Sequence, residues 1–539
     1  MKKVLAALLA IACISLSASS AVAQNRDAFP SGHGYSPQKY VNKVLKKDVD
    51  WQNSVAGIMA VDQNGKVVAQ WNANLPLLTA STMKTITTGL GLLYLGENYK
   101  FETKIAYSGS IKNGVLHGNL YIIGGGDPTL GSSDPVAYKI DSIFGVWTDA
   151  IKAAGIRKIE GSIVGDDSFF EREQMPGTWC WDDLGTDYGS APCGLAFGED
   201  VQQVKIIPGK TVGAPARVVM GSPFTPGVKI INNVTTGPAK SGDRSAFYVS
   251  DIEPVGVFEG TVGIDRDTVS YGISNKFSYL TCGYAFHDYL VANGVSVPAS
   301  VISIEDARKD DGVLSCSDAD NQTAGRGADA GNAGVGVAGN AGVGAGVGAA
   351  GDGGLTLIKT TYSPELWKIV KVTNHISNNF YAETILKTIG KKMTGVGSYR
   401  SSLPCIHKLL NQYGVDDKGF TSADGCGLSR ENYVSTDFFC RYYGMMAKQD
   451  VFQKFFESLP YPGVGTLDGV LDDIDPAVAA RVHAKSGSLS SVKCYAGYVK
   501  TAGSTGLIRF AILVNNYSAP TKQMQKGLEG FMQSLAETK

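Results

Sequence analysis

Apolar positions along this chain follow two rhythms that alternate in blocks. Residues 55–61, Val-Ala-Gly-Ile-Met-Ala-Val, and 66–71, Lys-Val-Val-Ala-Gln-Trp, read as strands. Asp62-Gln63-Asn64-Gly65 between them carries an Asn-Gly turn signal, so the pair predicts a hairpin. The approach from Asn72 to Ala80 then delivers the chain to Ser81, where a run to Leu95 predicts a helix. Its threonines and glycines are weak helix formers, so burial must hold it. Residues 103–320 are rich in short strands and turns. Leu120 to Ile123, Gly161 to Asp167, Arg217 to Met220 and Lys229 to Ile231 are the clearest. A helix is expected near 274–293, with Phe277, Leu280, Ala285 and Leu290 on one face. Helical patterning resumes at Pro364 and again from Asn378 to Ile389. Strands follow at Arg481 to Lys485, Tyr495 to Val499 and Leu507 to Val514, and a last helix from about Pro520.

Two stretches stand outside this pattern. Residues 1–23 read as an export signal: Lys2 and Lys3, an apolar run from Val4 to Ile14, then Ala21-Val22-Ala23 as a cleavage site. This implies a periplasmic protein with no transmembrane anchor after cleavage, since the apolar run is too short for a span. Acylation at Cys13, making a lipoprotein, is the weaker alternative because Ala10 stands where leucine is expected. Residues 323–354 are nearly all Gly, Ala, Val, Asn and Asp, which predicts a flexible, dispensable surface insertion.

The chain has 539 residues and a net charge of −1, with no basic block, which argues against a nucleic-acid partner. Its length calls for several domains. Of nine cysteines, eight follow the leader, an even number suited to disulfides in an exported protein. Cys180 and Cys193, which flank a short loop, are the expected pair. No C-x-x-C or H-E-x-x-H pattern occurs, so neither a metal nor an organic cofactor is implied.

The chemistry concentrates in three stretches, in this order: Ser81-Thr82-Met83-Lys84, Asp424-Gly425-Cys426-Gly427-Leu428-Ser429-Arg430-Glu431-Asn432, and Lys485-Ser486-Gly487. The first is S-x-x-K and the third a variant of K-T-G. Three residues along a helix puts an amine beside a hydroxyl. Serine is a weak nucleophile until a base takes its proton, and lysine serves only when its pKa falls. Lys485 supplies a second cation, suited also to a substrate carboxylate. The backbone N–H of Ser81 and one from the Lys485–Ser488 strand can stabilise an oxyanion.

With these motifs the chain resembles the class C low-molecular-mass penicillin-binding proteins, D-alanyl-D-alanine carboxypeptidases and endopeptidases. Further landmarks are Gly125-Gly-Asp-Pro-Thr-Leu130, Gly165 to Ser168, Trp179 to Pro192, Ser377-Asn-Asn-Phe-Tyr-Ala-Glu383 and Gly465-Thr-Leu467. The resemblance implies a multidomain α+β protein. Its penicillin-binding, serine β-lactamase-like catalytic domain sets helices on an antiparallel sheet and carries β-rich inserted domains. The expected boundaries put the catalytic domain at 24–100 and 356–539. One inserted domain occupies 101–208 and 271–320, a nested one 209–270, and the flexible insertion 321–355.

By the same resemblance Ser81 is the acylated nucleophile and Lys84 its base. Ser429 relays protons, Asn432 contacts the substrate amide, and Lys485 supplies charge. Ser486 and Ser488 bind the terminal carboxylate, with Gly487 leaving room for substrate. The implied partners are peptidoglycan stem peptides, with β-lactams as covalent inhibitors. Three departures stand out: Ser486 for threonine, Cys426 for serine, and Glu431 where the second motif expects asparagine. Val470 stands where some relatives have an arginine. A serine β-lactamase shares the first and third motifs. A catalytically inactive wall-binding protein is the other alternative, against which Ser81, Lys84 and Lys485 all stand intact.

Overall fold

The computed structural model describes residues 29–310 and 354–539, apart from 223, 226, 504 and 505. The leader with Cys13, Cys316 and nearly all of the Gly/Ala-rich insertion lie outside the described residues. Chain contacts divide the rest into two compact units. One is Met1–Ala80 with Tyr433–Gly444 and Pro460–Lys539; the other is Ser81–Asn432 with Met445–Leu459.

The first unit is built on a five-stranded antiparallel sheet. Its order is Val67–Trp71, Val55–Val61, Leu507–Asn515, Val492–Lys500, Val482–Leu489. The expected hairpin is present. Asp62 Oδ1 accepts from the amides of Asn64 and Lys66, both at 2.9 Å, and Gly65 takes the left-handed φ of 86° that closes the turn. The three inner strands are apolar along most of their length because both faces are covered. Phe510, Ile512 and Val514 pack with Leu528, Phe531 and Leu535 of the last helix, Thr521–Ala536, and with Tyr40 and Trp51.

The strand Val482–Leu489 ends the sheet and carries the third motif. Lys485 lies opposite Ala496, and Gly487 opposite Cys494. Lys485 is buried and donates to the Ser486 carbonyl at 2.8 Å, while Ser488 is exposed.

The second unit joins a helix cluster to β-rich parts. A mixed sheet runs in the order Val301–Ser303, Ile163–Asp166, Leu120–Gly124, Glu102–Tyr107, Thr356–Tyr362. Its core holds Ile105, Leu120, Ile122, Ile163 and Trp147. The expected helix appears as Ser278–Ala292 and packs Cys282, Phe286 and Leu290 into that core. Between residues 201 and 274 two three-stranded sheets enclose a separate small core of Val204, Ile206, Phe247, Phe258 and Val262.

The helices of this unit include Lys84–Leu95, Leu366–His375, Asn379–Thr394 and Tyr399–Gln412. Ser81 itself sits in a 3₁₀ turn, Ala80–Met83, that feeds the α-helix beginning at Lys84. The weak helix formers of this helix are used. Thr85 and Thr88 hydroxyls bond back to the carbonyls of Thr82 (2.8 Å) and Lys84 (2.7 Å), and Thr87 donates to Gly425 O at 2.7 Å. Gly91 lets the helix approach its neighbour: a Cβ there would lie 2.6 Å from Ile385 Cγ2.

The expected Cys180–Cys193 disulfide is absent. Cys180 is exposed, whereas Cys193 is sealed in the interior with its Sγ 3.3 Å from Ser278 Oγ. All seven described cysteines are free thiols. The even count therefore misleads as to this pair; six of the seven serve as small buried side chains.

One packing detail gives a test. Gly530 sits inside the last helix, where alanine ordinarily gains ~1 kcal/mol of helix propensity. A Cβ at this position would lie 2.6 Å from Tyr40 Cζ, and Tyr40 is fully buried with its hydroxyl bonded to Pro30 O at 3.0 Å. Overpacking costs about 1–3 kcal/mol and outweighs the propensity gain. Gly530→Ala is therefore expected to lower the urea midpoint of unfolding; a raised midpoint would show that Tyr40 moves aside freely.

Candidate active site

The site is organised around the amine of Lys84, which is fully buried. Its Nζ lies 2.9 Å from Ser81 Oγ, 2.6 Å from Asn379 Oδ1 and 2.8 Å from the Cys426 carbonyl. Burial lowers its pKa, against the opposing pull of Cys426, Asp424 and Glu383. Two of its partners are carbonyl oxygens that only accept. The third is a hydroxyl that can accept or donate. A neutral amine keeps both N–H···O=C bonds and turns its lone pair to Ser81. Loss of one proton thus converts the arrangement from a pinned ammonium to a base facing a half-buried serine hydroxyl.

Asn379 comes from the first turn of the helix Asn379–Thr394. Asn378 caps that helix, accepting from Tyr381 N at 2.9 Å, and donates to Glu199 Oε2 at 2.6 Å. Ser377 precedes them with a left-handed φ of 62°. Asn379 Nδ2 donates to the Tyr188 carbonyl at 2.8 Å, which fixes its Oδ1 toward the lysine. Ser377, Asn379, Tyr188 and Glu199 line a cavity of about 580 Å³. The same helix places Glu383 and Lys387 at successive four-residue steps from Asn379, on one side of the helix.

The loop 422–432 supplies the Cys426 carbonyl, and Asp424 is its hub. Asp424 accepts from the amides of Gly427 (2.7 Å) and Ser429 (2.6 Å), from Asn432 Nδ2 (2.8 Å) and from Trp179 Nε1 (2.9 Å). Gly427 turns the chain with φ 88°. Glu383 Oε1 accepts from Gly425 N at 2.9 Å and Cys426 N at 2.6 Å. Glu383, Asp424 and Cys426 could in principle hold a metal, their ligand atoms lying within 4.8 Å of one another. Both carboxylates are instead taken up by backbone and side-chain N–H groups.

The hydrogen bonds of Asn432 and Ser429 run within this loop. Asn432 spends its whole amide on the loop: Oδ1 accepts from Ala423 N (2.8 Å), and Nδ2 donates to Asp424 Oδ1 and to Ser429 O (3.0 Å). It holds the loop and has nothing left for substrate. Ser429 Oγ accepts from Glu431 N at 3.1 Å and closes a turn. The serine and asparagine of an S-x-N triplet are Ser377 and Asn379, and Asn379 is the one that meets Lys84. Its signal was in the sequence: an intact S-x-N at the start of a helix, against a stretch with glutamate in the asparagine position. Ser81 and Lys84 are where the first motif puts them. Lys485, Ser486, Gly487 and Ser488 share one strand of the other unit.

A serine turned toward a buried amine, with an S-x-N triplet beside it, is the arrangement of the penicillin-recognising serine enzymes. Residues 38–320 and 331–535 match the D-Ala-D-Ala carboxypeptidase 3 (S13) family. The chain belongs to that family and is a serine hydrolase. It is 27% identical over 499 residues to the D-alanyl-D-alanine carboxypeptidase of Actinomadura sp. (strain R39), covering 88% of this chain and 82% of that protein. The crystal structure of penicillin-binding protein 4 from Haemophilus influenzae superposes with a TM-score of 0.72 at 21% identity, covering 93% of this chain and 98% of that one. The same protein complexed with a novel β-lactam gives 0.67 at 19% identity, with the same coverage. These structural likenesses confirm the penicillin-binding, β-lactamase-like multidomain fold. Among the described residues no helix is long and apolar enough to cross a membrane.

The two asparagines should separate by phenotype. Losing one hydrogen bond to a charged or reacting group costs about 1.5–3 kcal/mol, so Asn379→Ala should lower kcat/KM on a D-Ala-D-Ala peptide by about 10²-fold with the urea midpoint nearly unchanged. Asn432→Ala should instead destabilise the fold, by about 1–3 kcal/mol for the unsatisfied loop groups. The reverse pattern would restore Asn432 to the site.

Proposed function

We propose that this protein is an exported DD-peptidase that cleaves the D-Ala–D-X bond of peptidoglycan stem peptides through an acyl-enzyme on Ser81, the serine that β-lactams also acylate. The observation that carries this reading is the Lys84 amine held 2.9 Å from Ser81 Oγ by two carbonyl acceptors. The family supports the substrate class, and a β-lactam bound to a protein of the same fold supports the inhibitor class.

In the first step neutral Lys84 takes the Ser81 proton as Oγ attacks the substrate carbonyl. The proton then passes to the departing amine. Water then attacks the acyl carbonyl and gives its proton to the same base, which returns a proton to Ser81 Oγ as the acyl group leaves. Lys485 supplies positive charge and the hydroxyls of Ser486 and Ser488 receive the substrate's terminal carboxylate. The backbone N–H groups of Ser81 and Ser488 stabilise the oxyanion. Export rests on the leader pattern of residues 1–23.

Intact-mass analysis after penicillin treatment should show one adduct, mapped to Ser81 and lost in Ser81→Ala; an adduct that survives that change would overturn the assignment. Lys84→Arg keeps the charge and gives up no proton near neutrality, so acylation should fall by about 10³-fold or more while the fold persists, on the scale of losing a general base. Acylation by the wild type should rise with pH, because the attacking state needs Lys84 without its proton. Burial places that rise below the range of an exposed lysine.

A further inference from the structure

Glu383 lies one helical turn beyond Asn379, fully buried, and does not reach Ser81 or Lys84 directly. Its carboxyl instead grips the peptide unit whose other end holds the catalytic amine. Oε1 accepts from Gly425 N (2.9 Å) and Cys426 N (2.6 Å), and the Cys426 carbonyl receives Lys84 Nζ at 2.8 Å. Gly425 fits tightly under the same helix: a Cβ there would lie 3.0 Å from Leu386 Cβ and 3.1 Å from Ala382 O. The loop therefore has one resting place on this helix, and Glu383 is its polar anchor.

We infer that Glu383 is a positioning residue for Lys84, holding the Gly425–Cys426 backbone so that the Cys426 carbonyl fixes the amine, and governing through its own proton how firmly that amine keeps its proton. This rests on the proposed role of Lys84 as base. The carboxyl faces Asp424 and Cys426 on the loop, Lys84 on the motif helix, Tyr399 on the next helix and Lys387 one turn along its own. Burial and the Asp424 charge push it up to about 8. It is therefore mostly protonated at neutral pH, and it can still accept the two amide N–H groups through Oε1. The Cys426 thiol hydrogen-bonds to the same carboxyl. When Glu383 ionises, its negative charge favours the ammonium form of Lys84. When it is protonated, that stabilisation disappears and the amine yields its proton more readily. One proton moving between the two groups changes no net charge in the site, so Glu383 and Lys84 titrate as a coupled pair.

Glu383→Gln copies the protonated form: its amide oxygen accepts the same two N–H groups and never ionises. Penicillin acylation measured from pH 5 to 10 should then match the wild type at the foot of the curve, where both side chains are uncharged, and reach its plateau at lower pH, its midpoint down by about one pH unit because no carboxylate forms to hold the proton on Lys84. Glu383→Ala leaves both amides without an acceptor, and acylation should fall by about 10²-fold at every pH. A Gln profile with the wild-type midpoint, or an Ala variant acylated at the wild-type rate, overturns the inference. If Gln does not fold, Glu383→Asp serves. Its shorter carboxyl cannot span both amides, so acylation should drop at least tenfold, and an unchanged rate overturns the positioning role. Wild-type protein that is not acylated at Ser81 at all overturns the proposed mechanism and this inference with it. An acylated wild type with an unmoved Gln profile removes this inference alone.

Discussion

A primary amine buried among uncharged oxygens is the constraint on which the second unit is arranged. Taking an ammonium out of water costs several kcal/mol even after relaxation, and the group answers by giving up its proton. Lys84 is placed in that position: its three hydrogen-bond partners are a hydroxyl, a side-chain amide oxygen and a backbone carbonyl. Each partner must then be held by something else. Tyr188 O holds Asn379, the Glu383 carboxyl holds the Cys426 peptide, and Asp424 holds the loop.

This demand explains features that run against simple propensity. The Lys84–Leu95 helix is rich in threonine and glycine, poor helix formers in isolation. In a dry interior the threonine hydroxyls find carbonyls in their own helix and in the loop, and the glycine admits a neighbouring helix at close range. The helix Asn379–Thr394 likewise carries an amide, a carboxyl and an amine down a buried side. Lys387, the amine of that series, is met by the carbonyls of Glu173 (2.9 Å) and Pro192 (3.3 Å), and burial lowers its pKa to about 8. The cost of burying such groups is offset only when every one of them is bonded.

Much of this was legible in the residues alone. The strands at 55–61 and 507–514 follow from nearly unbroken apolar runs. The first motif follows from spacing, because three residues along a helix leave little freedom. The second motif did not follow. Asp424 to Asn432 reads as a catalytic stretch because it lies in order between the other two motifs and resembles a family pattern, yet its hydrogen bonds run within its own loop. What separates it from Ser377-Asn378-Asn379 is which side chains have bonding capacity left over, a tertiary property. The cysteine pairing failed for a related reason: spacing along the chain does not report that one thiol faces solvent and its neighbour the interior.

The strand order has a consequence for how such a chain must be made. Val55–Val61 lies between Val67–Trp71, its immediate neighbour in sequence, and Leu507–Asn515, far later in the chain. Until that late strand arrives, the early hairpin keeps an open, apolar edge that cannot be satisfied locally. The segments on either side of the Ala80–Ser81 junction belong to different compact units. A fragment that lacks Leu507–Asn515 therefore keeps that apolar edge open and is prone to associate through it.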